Sequence, residues 1–158
     1  MGRFADAVSA RLRERLASDA PALEWTTERD VAGTPVDVAG DGSDLLVAVE
    51  LEWRRADPSD NAAKLFRHLS EGHIDAARVV VVHLFSRYYD LVRGGHSSKR
   101  RNAEFVGEVA AATLDGLSYH PVTLDIDPPK RGGDRPDGWR VAVDEAATVT
   151  GEFAGRAD

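Results

Sequence analysis

The apolar residues of this chain recur with two different periods, and the period predicts which kind of element each stretch forms. Near the N-terminus, four apolar residues fall at steps of four and predict a helix over residues 3–17: Phe4, Val8, Leu12 and Leu16. Elsewhere the apolar residues are consecutive, as in Leu45–Val49 and in the four valines of Val79–Val82. Uninterrupted runs of this kind are typical of strands that are buried on both faces.

The order of these patterns predicts a single α/β domain. In chain order they are a helix over residues 3–17, strands over 23–29, 35–39 and 44–53, a helix over 57–72, a strand over 78–85, a helix over 102–114 and a strand over 118–126. Such an order is typical of a mixed sheet between helices. Residues 127–138 predict a polar loop rich in proline and glycine, residues 139–143 a last edge strand, and the tail from Asp144 a short helix or a partly disordered segment.

Composition narrows the class of protein. The 158 residues suit one domain with one hydrophobic core, and there is no cysteine, which fits a cytoplasmic protein without disulfides or thiolate metal sites. No apolar run approaches the roughly 20 residues of a membrane span, and the N-terminus lacks the apolar block of a signal peptide. The formal net charge of −7 argues against a protein that coats nucleic acid regardless of sequence, but it allows a local basic patch.

Three carboxylates fall near the ends of two strands that a hairpin would place side by side. Asp37 lies before the turn Gly40–Ser43, and Glu50 and Glu52 end the apolar strand after it. Glu50 and Glu52 are two residues apart and therefore project to the same face of the sheet. Carboxylate and carbonyl oxygens are the ligands that Mg²⁺ prefers. The candidate metal ligands are therefore these three carboxylates and the carbonyl of Leu51.

A site that cuts phosphodiester bonds also needs a positive group to steady the phosphate. The helix after the second strand begins at Asp57 and Pro58, which suit a helix N-terminus. Lys64 lies on that helix and is one of only three lysines in the chain. We expect Lys64 to reach the three carboxylates and to complete the set of catalytic residues.

These residues resemble the active-site motif of the PD-(D/E)XK nuclease superfamily. The likeness lies in P-V-D at residues 35–37, V-E-L-E at 49–52 and N-A-A-K-L-F-R at 61–67, and it is closest to type II restriction endonucleases with E-x-E in place of D/E-x-K. It implies Asp37 as the first acidic ligand and Glu50 as the second. Glu52 stands where the family usually has lysine, and there it would be a further ligand or a base for the attacking water.

The resemblance also implies a fold, an activity and a cofactor. The fold is a restriction-endonuclease-like αβββαβ core over residues 1–126, with residues 127–158 in the same domain. The activity is hydrolysis of DNA phosphodiester bonds by an endonuclease with Mg²⁺, or with Mn²⁺ as a substitute. A nuclease fold that has lost catalysis and binds nucleic acid or a protein partner is the alternative, and an α/β interaction domain of another topology is a third. Cutting both strands of a duplex calls for two sites, so a homodimer is left open.

The irregular stretch over residues 86–101 collects basic residues beside Tyr88 and Tyr89. The residues that we consider for contacts with DNA are Arg87, Arg93, Lys99, Arg100 and Arg101. Arginine binds phosphate through paired hydrogen bonds and tyrosine stacks on bases, and a solvated loop is the alternative. The helix that follows has a predicted apolar face formed by Phe105, Val106, Val109, Ala110 and Thr113.

The five histidines show no spacing that is typical of a metal site. His83 lies in the valine-rich strand, where we expect a core residue with satisfied hydrogen bonds. His68 flanks the predicted site helix, and a supporting role there is as open as no role.

Overall fold

The structure of the protein is a computed structural model that describes residues 2–156. Its helices and strands follow the predicted order up to residue 126. The helices are α1 (Arg3–Asp19), α2 (Ser59–Ser70), α3 (Ser98–Thr113) and α4 (Trp139–Arg156). The strands are β1 (Glu24–Val31), β2 (Thr34–Asp41), β3 (Leu45–Glu52), β4 (Arg78–Ser86) and β5 (Leu117–Leu124), with a 3-10 turn at Arg87–Tyr89. Within residues 2–156, no helix is both long and apolar enough to cross a membrane.

The five strands form one sheet in the order in which they occur in the chain. β1, β2 and β3 are antiparallel neighbours, whereas β3, β4 and β5 are parallel. Short turns join antiparallel neighbours, but parallel neighbours need a crossover, and α2 and α3 supply the two crossovers. The predicted α/β class, with a mixed sheet flanked by helices, is therefore confirmed.

Helices cover both faces of the sheet in pairs. α1 packs against α4, and α2 packs against α3. Strand β3 is buried along its whole length, and its side chains alternate between two cores. Val47 and Val49 belong to the core under α1 and α4, whereas Leu46 and Ala48 belong to the core under α2 and α3. The two glutamates at the carboxyl end of β3 continue the face that α2 and α3 cover.

The predicted edge strand at residues 139–143 is wrong, because these residues begin helix α4. The buried residues of α4 recur at helical spacing: Trp139, Ala142, Val143, Ala146, Ala147, Thr150 and Ala154. Five residues reading Trp-Arg-Val-Ala-Val alternate like a strand, and only a longer window shows the period of 3.6. The predicted tail is continuous with this helix, and its residues 157 and 158 lie outside the described range. Arg11 of α1 donates two hydrogen bonds, of 2.8 and 2.7 Å, to Asp144 of α4.

Helix α3 begins earlier than predicted, and only part of its predicted apolar face is buried. It begins at Ser98, within the stretch predicted to be irregular, and its buried residues are Arg100, Ala103 and Gly107. Phe105 and Val109, predicted to face the core, are 66% and 47% exposed, whereas Val106 and Ala110 of the same predicted face are partly buried against the core under α2 and α3. The reason is the ring of Tyr119, which fills the space under the helix so closely that a Cβ on Gly107 would lie 2.4 Å from it. The helix therefore turns its small residues toward the sheet.

Candidate functional site

Asp37 and Glu50 meet where the ladder between β2 and β3 ends. The last backbone pair of the ladder is Val38 with Val49, so Asp37 and Glu50 would form the next pair. The Leu51 N–H instead donates to Asp37 Oδ2 over 2.7 Å, which holds this carboxylate beside β3 on the face of its two glutamates. Since the N–H and C=O of an extended residue point to the same neighbouring strand, the Leu51 carbonyl faces the same gap.

Glu50 and Glu52 are almost completely buried, with 2% and 1% of their surface exposed. Glu50 Oε1 and Glu52 Oε2 have no hydrogen-bond partner among the residues that the structure describes. Buried carboxylates normally accept hydrogen bonds, pair with a cation or coordinate a metal. Two such oxygens at one strand end, with Asp37 beside them, fit the oxygen donors that a hard divalent cation prefers.

The three carboxylates repel one another. Burial raises the pKa of Glu50 well above its ordinary value, and the charges of Asp37 and Glu52 raise it further. Burial also raises the pKa of Asp37, although the hydrogen bond from Leu51 and the charge of Arg55 act in the opposite direction. The cluster therefore favours an additional positive charge, either a proton or a cation.

Arg55, which no sequence pattern singled out, is the cation that the structure places at the carboxylates. Its Nε lies 3.7 Å from Glu52 Oε2, and 48% of its side chain is exposed. Tyr89 braces the backbone of this residue: the Arg55 N–H donates to the phenolic oxygen over 2.8 Å, and the phenol donates to the Arg55 carbonyl over 3.2 Å. Burial raises the pKa of Tyr89 to about 12, so the phenol keeps its proton and both hydrogen bonds.

Lys64, the cation that the sequence predicts for this site, is paired elsewhere. Its Nζ lies 3.0 Å from Asp60 Oδ2, one turn earlier on α2, and half of its side chain is exposed. The residues by which α2 is buried are Ala62, Leu65 and Phe66. Lys64 lies outside that stripe, so the structure joins the three carboxylates with Arg55 and leaves Lys64 at the surface.

A buried chain of hydrogen bonds supports Glu52. His83 is fully buried, with Nε2 3.1 Å from Glu52 Oε1 and Nδ1 2.8 Å from the hydroxyl of Tyr119. Burial raises the pKa of Tyr119, so its phenol keeps its proton and is able to donate to Nδ1. An imidazole that accepts at Nδ1 donates from Nε2 to Glu52. The prediction that His83 is a satisfied core residue is confirmed, and its contact with Glu52 connects the core to the carboxylates.

Four of the five basic residues predicted to contact DNA are exposed: Arg87, Arg93, Lys99 and Arg101. Arg100 is buried, with one guanidinium nitrogen 2.7 Å from Glu104 Oε1 and another 2.7 Å from Thr123 Oγ1. Its guanidinium also lies 4.7 Å from the centre of the Phe85 ring. Arg100 therefore packs α3 onto the sheet and is not presented to a ligand at the surface.

Exposed cations lie at the same edge of the sheet as the carboxylates. The neighbouring parallel strands β3 and β4 end at Glu52 and Ser86, and basic segments leave both ends. Tyr88, 43% exposed, lies beside two cations, with the guanidinium of Arg54 5.8 Å and the ammonium of Lys99 5.6 Å from its ring centre. An exposed ring flanked by cations suits contact with a base and its phosphates.

Comparisons of the chain with models of known protein families, with curated proteins and with solved structures found no match. The function is therefore inferred from the geometry of the carboxylates, of Arg55 and of the surface formed by Tyr88, Arg54 and Lys99, which we call the basic edge.

Proposed function

We propose that this protein is a Mg²⁺-dependent DNA endonuclease with a restriction-endonuclease-like core. The metal ligands would be Asp37, Glu50, Glu52 and the carbonyl of Leu51. The observation that carries the proposal is the pair of buried glutamate oxygens, on Glu50 and Glu52, without a hydrogen-bond partner in the described part of the chain. The element order α1-β1-β2-β3-α2-β4 supports it, since the resemblance implies αβββαβ. When bound, Mg²⁺, or Mn²⁺ in its place, supplies charge neutralisation at the scissile phosphate and a water of lowered pKa.

The residues of the site have distinct roles in this proposal. His83 holds Glu52 at Oε1 over 3.1 Å, which leaves Oε2 to accept a proton from the attacking water or to act as a further metal ligand. Arg55 is half exposed beside Glu52, so its guanidinium is available to a phosphate oxygen. It thereby supplies the positive charge that the motif loses when glutamate replaces lysine.

The DNA itself would lie along the basic edge. Tyr88 would stack on a base, and Arg54 and Lys99 would contact the phosphates, of the DNA strand next to the site. The two segments beside the site that could read bases, residues 87–97 and 127–138, are short, so we expect weak sequence preference. A monomer would nick one strand at a time, whereas a homodimer would cut both.

The test is cleavage of supercoiled plasmid by the purified full chain with Mg²⁺ or Mn²⁺. We expect Asp37→Asn and Glu50→Gln to lose more than roughly the 10–100-fold that removing an outer-shell partner of a metal costs. Asp41→Asn is the matched control, because Asp41 lies on the same strand but pairs with Arg29 over 3.1 Å. Full cleavage by Glu50→Gln would overturn the site assignment.

Two further variants separate the cation that the structure places at the site from the one that the sequence predicts. Arg55→Ala should abolish cleavage while the melting temperature stays within a few degrees, since the side chain is half exposed. Lys64→Ala should leave the cleavage rate within about threefold, because it removes only a surface ion pair with Asp60. Mn²⁺ binding that depends on Glu50, without cleavage of any DNA form, would favour the inactive binding module instead.

A further inference from the structure

The end of α2 brings two histidines face to face. The Gly72 N–H donates to the Leu69 carbonyl over 3.1 Å, and the His73 N–H donates to the His68 carbonyl over 2.9 Å. With φ of +76° at Gly72, these two bonds form a Schellman motif. That motif places the side chains of His68 and His73 beside each other, at the two positions where a hydrophobic contact is frequent.

The polar atoms of this turn converge. His68 Nδ1 lies 3.3 Å from His73 Nδ1, and His73 Nδ1 lies 3.4 Å from Glu71 Oε2. The three ligand atoms all lie within 4.8 Å of one another. Neighbouring ligand atoms around tetrahedral Zn²⁺, at bond lengths of about 2.0–2.1 Å, are separated by about 3.3–3.4 Å. The two closest spacings in the turn therefore equal the edges of a zinc coordination tetrahedron.

Exposure and competition also suit an open metal site. The side chains of His73 and Glu71 are 55% and 41% exposed, which leaves room for water at the remaining coordination position. Arg67 lies 3.5 Å from the Glu71 carboxylate, but surface ion pairs of this kind contribute about 1 kcal/mol or less. A metal can therefore replace that pair without breaking the fold.

We propose that His68, Glu71 and His73 bind a zinc-class divalent cation. Imidazole ligands favour Zn²⁺, Cu²⁺ and Ni²⁺ over Mg²⁺, whereas the all-oxygen cluster at Glu50 favours the reverse. The two sites lie at opposite ends of the sheet. His73 precedes β4, whose first residue Arg78 pairs with Leu45 at the start of β3, while the carboxylates lie where β3 ends. The bound metal would tie the connection before β4 to the end of α2.

Calorimetric titration of the tag-free full chain with Zn²⁺, in millimolar Mg²⁺, tests the proposal, and Co²⁺ absorption in the visible reports tetrahedral coordination. We expect one Zn²⁺ per chain and a rise in melting temperature. His73→Ala should lose more than roughly 10–100-fold in affinity. His96→Ala is the matched control, because His96 has a carboxylate, Asp90, at 3.1 Å but no second histidine in its pair.

Failure of the zinc proposal can be distinguished from failure of the nuclease proposal. Glu50→Gln should leave Zn²⁺ affinity unchanged, so the zinc site stands even if the nuclease proposal fails. The proposal is overturned if the wild-type chain binds no Zn²⁺, if His73→Ala binds it as tightly as wild type, or if His96→Ala or Glu50→Gln abolishes binding. Circular dichroism of each variant without metal verifies that the fold is intact.

Discussion

Replacing Gly107 by alanine tests whether packing under α3 controls the hydrogen-bond chain that ends at Glu52. In most helices alanine is better than glycine by up to about 1 kcal/mol. Here the added Cβ would lie 2.4 Å from ring atoms of Tyr119. That ring is only 9% exposed, its hydroxyl binds His83 at 2.8 Å, and it packs edge-on against Phe66 at 6.2 Å between ring centres. It therefore has little room to move aside.

The magnitude follows from two opposing terms. Overpacking a well-filled core costs about 1–3 kcal/mol, and the gain in helix propensity offsets up to about 1 kcal/mol of it. We expect Gly107→Ala to lower the free energy of unfolding by about 1–2 kcal/mol, which lowers the melting temperature by roughly 2–8 °C in a chain of this size. Gly151→Ala is the matched control in α4, since its Cβ would meet only the Cβ of Asp19 at 3.9 Å. It should raise the melting temperature by roughly 2–4 °C.

Differential scanning calorimetry of the two variants measures the contrast, and the side-chain ¹⁵N shifts of His83 report whether Tyr119 still donates to Nδ1. We expect Gly107→Ala to alter those shifts and to weaken Mn²⁺ binding, and Gly151→Ala to do neither. If Gly107→Ala melts as high as Gly151→Ala, the close packing of Tyr119 on α3 is refuted.

Two further predictions concern the buried polar groups. Because the pKa of Glu50 is raised in the folded protein, the unfolded chain releases this proton at a lower pH than the folded protein does. The free energy of unfolding of the metal-free protein therefore falls as the pH rises above the ordinary glutamate pKa. It falls by about 1.4 kcal/mol per pH unit until the pKa of the folded protein is reached. In chelator at pH 8, Glu50→Gln should therefore resist urea better than wild type and gain nothing from Mg²⁺; lower stability than wild type would contradict the repulsion among the carboxylates. Tyr119→Phe leaves His83 Nδ1 without its partner and should cost about 1–3 kcal/mol in urea unfolding. An unchanged urea midpoint would show that the hydrogen bond between Tyr119 and His83 does not contribute to stability.

The carboxylates could be found from the sequence because each depends on local rules. A turn between two apolar segments predicts the hairpin, and a spacing of two along a strand places Glu50 and Glu52 on one face. The structure adds that Asp37 replaces the next rung of the ladder by accepting the Leu51 N–H. The general α/β class followed in the same way from alternating helix and strand patterns.

The groups around the carboxylates could not be found in this way, because tertiary contacts place them. Arg55 reaches Glu52 through a turn that Tyr89 braces from 34 residues away. His83 lies 31 residues from Glu52, and only the parallel register of β3 and β4 brings them together. Lys64 looked suitable by type and rarity, but neither property says which way a helix side chain points.

The pair of histidines at the end of α2 was missed for a local reason. A search for metal spacing on a continuous helix requires ligands three or four residues apart, whereas His68 and His73 are five apart. The positive φ at Gly72 reverses the chain and closes that distance. The pattern H-x-x-E-G-H, read with the glycine as a helix stop, would have indicated the cluster.

The pairing of α1 with α4 has a consequence for synthesis of the protein. Arg11 and Asp144 are 133 residues apart, so at about 5–20 residues per second the ribosome makes the partner of α1 roughly 7–27 s after α1 itself. During that interval the apolar stripe of α1 and one face of the sheet have no cover from α4. The nascent chain therefore carries an exposed apolar surface until α4 emerges, which makes this face the place where chaperones would act and where chains truncated before α4 would aggregate.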